Sequence, residues 1–172
     1  MEISLRPPLD GNPLIAQGYG DNPRTYKMFG LDGHNGVDYL VQQGAVVRAS
    51  HDGVVTFAGD GGKSAVMGSA AGLCVLIVAD TQTHATEYAH LRNVWCRQGQ
   101  RVKAGQIIGC SGRTGMVSGA HLHWGLIPLP IDMKNGYMGR IDPLPYLNAG
   151  GTTTGVDGPT EDAGEVAEHV GR

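Results

Sequence analysis

From Val37 to Leu126, short apolar runs alternate with breaks centred on glycine. The runs are Val46–Ala49, Gly53–Ala58, Leu73–Val78, Thr86–His90, Gln106–Cys110 and His121–Ile127. Each is short, carries β-branched residues and is bounded by Gly, Asp or Asn. This is the pattern of strands separated by tight turns, and no long amphipathic helix interrupts it. Residues 1–25 are rich in Pro, Gly and Asn and read as an irregular strap, with one short strand near Leu14–Gln17. Residues 148–172 mix Gly, Thr and acids with few large apolar groups. That composition suits a flexible acidic tail or linker, with a short helix at Glu165–Val170. The expected organisation is a strap over 1–25, one all-β domain over 26–147 and the tail over 148–172.

Composition sharpens this picture. A chain of 172 residues fits one domain with flexible ends. Its 28 glycines are about twice the usual ~7% share, as an all-β domain with many turns requires. The formal charge of −3 is uneven: five acids after residue 150 face only Arg172, so the rest of the chain is close to neutral. No basic surface able to follow a phosphate backbone is present, which excludes nucleic acid as the expected partner. No run approaches the ~20 apolar residues of a membrane helix, so no membrane insertion is expected. Met1–Pro8 lacks the apolar core of a signal peptide, which points to a chain exported by another route or already processed. The three cysteines, Cys74, Cys96 and Cys110, are too few and wrongly spaced for a disulfide framework or a CxxC zinc site. Cys74 and Cys110, set in apolar runs, read as small buried thiols.

The candidate chemistry lies in the histidines. His121 and His123 flank Leu122 in a strand-like run, so both imidazoles face one side of the strand. Two such rings carry polar nitrogens that need partners, and a metal ion supplies one. The bland alternative is a pair of solvated histidines. His34 and Asp38, four apart, add the remaining ligand types, with Gly36 between them keeping the backbone adaptable. A catalytic zinc site takes three such ligands and leaves one position open. His34, Asp38 and one histidine of the HxH pair make that set. His90, in Glu87-Tyr88-Ala89-His90-Leu91, and the other histidine of the pair are then free for acid–base work. The alternative for His90 is a strand-end histidine bonded to a carbonyl. Tyr88 reads as ordinary sheet packing.

Several short motifs in fixed order carry a family resemblance. His34-Asn35-Gly36-Val37-Asp38 is similar to an HxGxD element, Tyr88-Ala89-His90-Leu91 to YxHL, and His121-Leu122-His123 to a terminal HLH element. Gly44–Ala49 followed by Asp52–Val55, and Gly99–Gly109, resemble framework strands and turns of the same family. Over roughly residues 7–127 the chain thus resembles the lysostaphin-type, LytM-like zinc endopeptidases. The resemblance implies a mainly antiparallel β-sheet with short connecting turns, the LytM-like "duplicated hybrid motif". It also implies one Zn2+ per chain held by His34, Asp38 and His123, with His90 and His121 flanking the attacking water. The implied substrate is the peptide of bacterial peptidoglycan, cut at the cell wall by a monomer acting as a phage lysin or an autolysin. Two departures stand out. Gly125 follows Trp124 where many members carry a larger, often charged, residue, and the insertion Asp60–Ala70 exceeds a minimal hairpin turn. Neither is expected to touch the five site residues.

Two rivals carry less. A degenerate LytM-like binding or activator module would lack several ligands, and all are present here. A sugar-phosphotransfer domain would need no ligand at Asp38. Gly62-Lys63-Ser64 resembles the end of a phosphate-binding loop, but Phe57 stands where that loop needs glycine, so a hairpin turn is expected. His51, His84 and His169 read as surface residues. Trp95 and Trp124 read as core packing.

Overall fold

The six apolar runs all become strands, and three shorter strands join them. The computed structural model describes residues 3–148. The expected tail beyond Asn148, its helix at Glu165–Val170 and His169 lie outside those residues. The strands are β1 (Ile15–Gln17), β2 (Val37–Tyr39), β3 (Val46–Arg48), β4 (Gly53–Asp60), β5 (Leu73–Ala79), β6 (His84–Val94), β7 (Arg101–Val102), β8 (Ile107–Ser111) and β9 (Leu122–Pro128). They form one sheet in the order β1-β2-β9-β6-β5-β4-β7, with β3 paired to β8 and β8 to β6. Every pairing is antiparallel. The α-helix among the described residues is the single turn α1 (Pro23–Tyr26). The all-β expectation therefore holds.

Alternation along the strands gives the sheet two unlike faces. Val37 and Tyr39 of β2, Leu122, Trp124 and Leu126 of β9, and Tyr88 of β6 point into the main core. Each such buried aliphatic side chain contributes about 1.5–3 kcal/mol. The residues between them, Asp38, His123 and Glu87, therefore share the other face, and all three are buried. The strap is anchored rather than loose. Leu5 and Leu9 belong to the main core, and Leu5 exchanges backbone hydrogen bonds with Tyr146 and Asn148 at 2.8 and 2.9 Å.

Strand β6 organises the sheet because it changes partners along its length. Its first half pairs with β9 up to Ala89↔His123. Its end, from Leu91, pairs with β8. On the β5 side the register slips between Leu73↔Leu91 and Val75↔Tyr88. Ala89 and His90 thus oppose Cys74 alone, a β-bulge. His90 sits in it at φ 62°, the left-handed region.

Several expectations about isolated side chains need correction. His51 and His84 are not surface residues: they are 7% and 4% exposed, with rings 4.7 Å apart. His51 Nε2 lies 2.9 Å from the Thr86 hydroxyl, which in turn lies 2.9 Å from the Tyr88 hydroxyl. Tyr88 OH also accepts from the Ser50 amide at 2.7 Å, so Tyr88 serves packing. Trp124 is fully buried as expected, but Trp95 is 55% exposed. Cys74 and Cys110 are buried and all three cysteines are free thiols. Burial pushes the Cys74 thiol up to about 12, which keeps it unreactive. Gly61–Lys63 forms a 3-10 turn between β4 and β5, capped by the Asp60 carboxylate; no phosphate loop is built.

The buried histidines generate a pH prediction. Burial lowers the pKa of His51, and burial with the nearby His51 charge brings His84 down to about 4. An unfolded chain protonates its histidines near ~6.5. Below that pH the unfolded state gains protons that the folded state refuses. This part of the stability is complete above pH ~6.5 and is lost as pH falls toward about 4. The melting temperature should drop by several degrees between pH 7.5 and 5. In a His51→Gln/His84→Gln variant the drop should be smaller. Equal drops in both proteins, measured by calorimetry, would contradict it.

Candidate metal centre

Asp38 and His123 stand directly opposite each other on β2 and β9. His34 precedes β2 in a loop pinned from both sides: its amide donates to Asp21 O at 2.9 Å, and its carbonyl accepts from Gly20 N at 2.8 Å. Gly36 is required for space. A Cβ there would lie 2.6 Å from His123 Cε1 and 2.7 Å from the Trp124 carbonyl oxygen. The expected role of backbone adaptability is thus replaced by close approach.

Three ligand atoms converge: His34 Nε2, Asp38 Oδ1 and His123 Nδ1. Their separations are 3.1 Å between the two nitrogens, 3.2 Å from His34 to Asp38 and 2.9 Å from His123 to Asp38. Bonds of about 2.0–2.1 Å in a tetrahedral shell would put ligand atoms about 3.3 Å apart. The spacing therefore fits a small cation. The proton positions fit as well. His34 Nδ1 faces the Gly18 carbonyl at 3.1 Å and must donate, which leaves Nε2 a lone pair. His123 Nε2 faces Glu87 Oε1 at 3.2 Å and must donate, which leaves Nδ1 a lone pair. Two imidazole lone pairs and a carboxylate oxygen thus point at one place, an arrangement that calls for a positive charge.

The electrostatics agree. Burial opposes ionisation of Asp38, but hydrogen bonds and charge from His123 and His34 outweigh it and hold the carboxyl far below its usual range. Burial likewise disfavours charge on His123, yet Asp38 and Glu87 on its two edges push its pKa well up. A metal binding at Nδ1 would have to compete with a proton that this ring holds more firmly than a free imidazole does, so metal affinity would rise with pH.

His90 and His121 line the same site. Their ring centroids are 4.6 Å apart, and His90 lies 5.9 Å from His123. His121 Nε2 is 3.7 Å from Asp38 Oδ2. Each ring offers Nδ1 to a carbonyl, His90 to Thr114 at 2.9 Å and His121 to Gly119 at 3.1 Å, which leaves Nε2 as the acceptor edge. Burial, with the charges of His123 and His121, pulls His90 down to about 4, so the ring is neutral near neutral pH. All five residues read from the sequence are thus brought together. Sequence reading missed Glu87, buried behind His123, and Arg140, whose guanidinium grips the Glu87 carboxylate. Two further features carried the signal: an acid inside an apolar strand, and glycine at 125 opposite it.

The left-handed backbone of His90 costs about 1 kcal/mol in any residue with a Cβ. A His90→Gly variant should therefore be about 1 kcal/mol more stable than His90→Ala, measured by urea denaturation. Equal stabilities would remove strain from the description of this bulge.

A profile described as peptidase family M23 matches residues 32–136. The glycyl-glycine endopeptidase ALE-1 of Staphylococcus capitis is 37% identical over 78% of this chain, which spans 34% of that protein. The peptidoglycan DD-endopeptidase ShyA of Vibrio cholerae is 39% identical over 55% of this chain and is spanned for 20% of its length. The chain thus covers about a third or less of these relatives. Among solved structures, the antimicrobial peptidase lysostaphin from Staphylococcus simulans superposes with a TM-score of 0.67 at 31% identity, covering 89% of this chain and 58% of that one. The lysostaphin catalytic domain alone gives 0.64 at 29% identity, covering 78% and 92%.

Proposed function

The chain belongs to peptidase family M23, and on that premise we propose that it is a zinc-dependent endopeptidase cutting peptide cross-links of bacterial peptidoglycan. The observation that carries the reading is the convergence of three lone-pair donors, His34 Nε2, Asp38 Oδ1 and His123 Nδ1, within about 3.2 Å of one another. The relatives named for glycyl-glycine and peptidoglycan DD-endopeptidase activity support the substrate class. The bacterial cell wall is the proposed place of action, by a monomer serving as a phage lysin or an autolysin.

In this reading His34, Asp38 and His123 hold one zinc ion. The ion, when bound, supplies Lewis acidity toward the scissile carbonyl and toward water. His90 and His121 do the proton work. One Nε2 accepts the proton of the attacking water and, once charged, returns it to the leaving amine. The other orients the water, and the charged ring offers an N–H to the developing oxyanion. The carbonyl oxygens of Thr114 and Gly119 fix which nitrogen of each ring faces the reaction.

Substitution separates the two sets. His34→Ala and Asp38→Ala should lose both zinc and activity. His121→Ala should retain most of the zinc yet lose peptidoglycan release by at least 100-fold. Metal content by elemental analysis, beside a dye-release assay with chelator and zinc add-back, checks both. Wild-type protein that binds no zinc and stays inactive after zinc addition would refute the proposal. Equal zinc loss in His121→Ala would reassign that residue as a ligand.

A further inference from the structure

On the opposite edge of the His123 ring from the three converging atoms lies a buried ion pair that the proposed reaction does not use. Glu87 and Arg140 are 2% and 3% exposed. Arg140 Nε donates to both Glu87 oxygens at 3.1 Å, and Nη2 donates to Oε2 at 2.5 Å. Glu87 Oε1 also accepts from His123 Nε2 at 3.2 Å. Two further Arg140 N–H groups go to carbonyls, one of Nη1 to Met138 at 2.6 Å and one of Nη2 to Val66 at 3.1 Å.

A buried ion pair is a poor way to gain stability, because apolar residues of equal volume do as well or better. Something else must favour it here. The chain also makes room for it. Gly125 stands opposite Glu87 on β9, and a Cβ at Gly125 would lie 2.6 Å from Oε1 and 2.8 Å from Cγ. Any larger residue at 125 would drive the carboxylate off His123. Arg140 falls outside residues 32–136, which the family profile matches, and it reaches Glu87 from the segment after β9.

We propose that Glu87, held by Arg140, is a positioning residue that fixes the His123 ring and presents Nδ1 to the metal. Through the Val66 carbonyl the same pair ties the Asp60–Ala70 insertion to that ligand. The proposal rests on His123 being a metal ligand. A carboxylate on the far nitrogen of a ligating imidazole sets its tautomer and raises its basicity, and its loss typically weakens metal binding about 10–100-fold.

The test measures zinc affinity by competition with a chromophoric chelator, the visible spectrum of the Co2+-substituted protein, and thermal stability. The proteins are wild type, Glu87→Gln, and Glu87→Gln/Arg140→Met. The single variant strands a buried guanidinium and should melt lower. The double variant removes both charges and should regain most of that stability. In both, zinc binding should weaken about 10–100-fold and the Co2+ bands should shift. If Glu87→Gln does not fold, the double variant carries the test alone. A folded double variant with wild-type zinc affinity and an unchanged Co2+ spectrum would overturn the proposal and leave the pair a packing feature. Wild-type protein that binds no zinc would instead overturn the ligand reading beneath it.

Discussion

The structure turns on one constraint: two imidazoles and a carboxylate are buried with lone pairs aimed at the same place. Polar groups of this kind are costly inside a fold unless they are paired. Here the surrounding structure removes every alternative partner but one. Gly18 and Glu87 take the outward protons of His34 and His123. Gly36 lets the backbone lie against the His123 ring. The Asp38↔His123 register puts the carboxylate across from the ring. What remains is a cluster of ligand atoms spaced for a small cation, built by the strand pair β2–β9 together with the loop that carries His34.

His90 and His121 depend on a different device. His90 lies where β6 changes partners from β9 to β8, and the bulge there turns its side chain out of the regular alternation. A regular strand would carry residue 90 on the face of Tyr88, toward the main core. The left-handed backbone at φ 62° breaks that rule and places the ring 4.6 Å from His121. Backbone strain at this position is therefore the geometric condition for two imidazoles to share one site.

This explains what could and could not be read from the sequence. Strand runs and glycine turns were legible because alternation and turn chemistry are local. That the five candidate residues would come together was legible because each sits in a short motif, and Asp38 and His123 obey simple strand parity. His51 and His84 looked like surface residues because an isolated histidine carries no local sign of burial; His51 joins a buried hydrogen-bond network with Thr86, Tyr88 and Ser50, and His84 packs edge-on against its ring. Trp95 lies just past the end of β6 and is exposed, which composition does not reveal. Arg140 reaches Glu87 across 53 positions, a pairing no spacing rule anticipates.

Gly125 shows most clearly how a departure from a family pattern is to be weighed. Read along the sequence, it is a small residue beside the site that touches none of the five residues. Read across the sheet, it is the space into which the Glu87 carboxylate fits, one contact away from His123. The insertion Asp60–Ala70 likewise looks remote, yet its Val66 carbonyl takes a hydrogen bond from the arginine that holds that carboxylate. Both departures meet at one buried ion pair. A glycine at 125, an acid at 87 and an arginine at 140 are then a single solution to one problem: how to present the Nδ1 lone pair of His123 from a ring that can carry its proton on either nitrogen. Changing Glu87 or Arg140 alone leaves a buried charge without its partner, and enlarging Gly125 crowds the carboxylate against His123. The three positions are therefore expected to act as a unit, in which the effect of each depends on the other two.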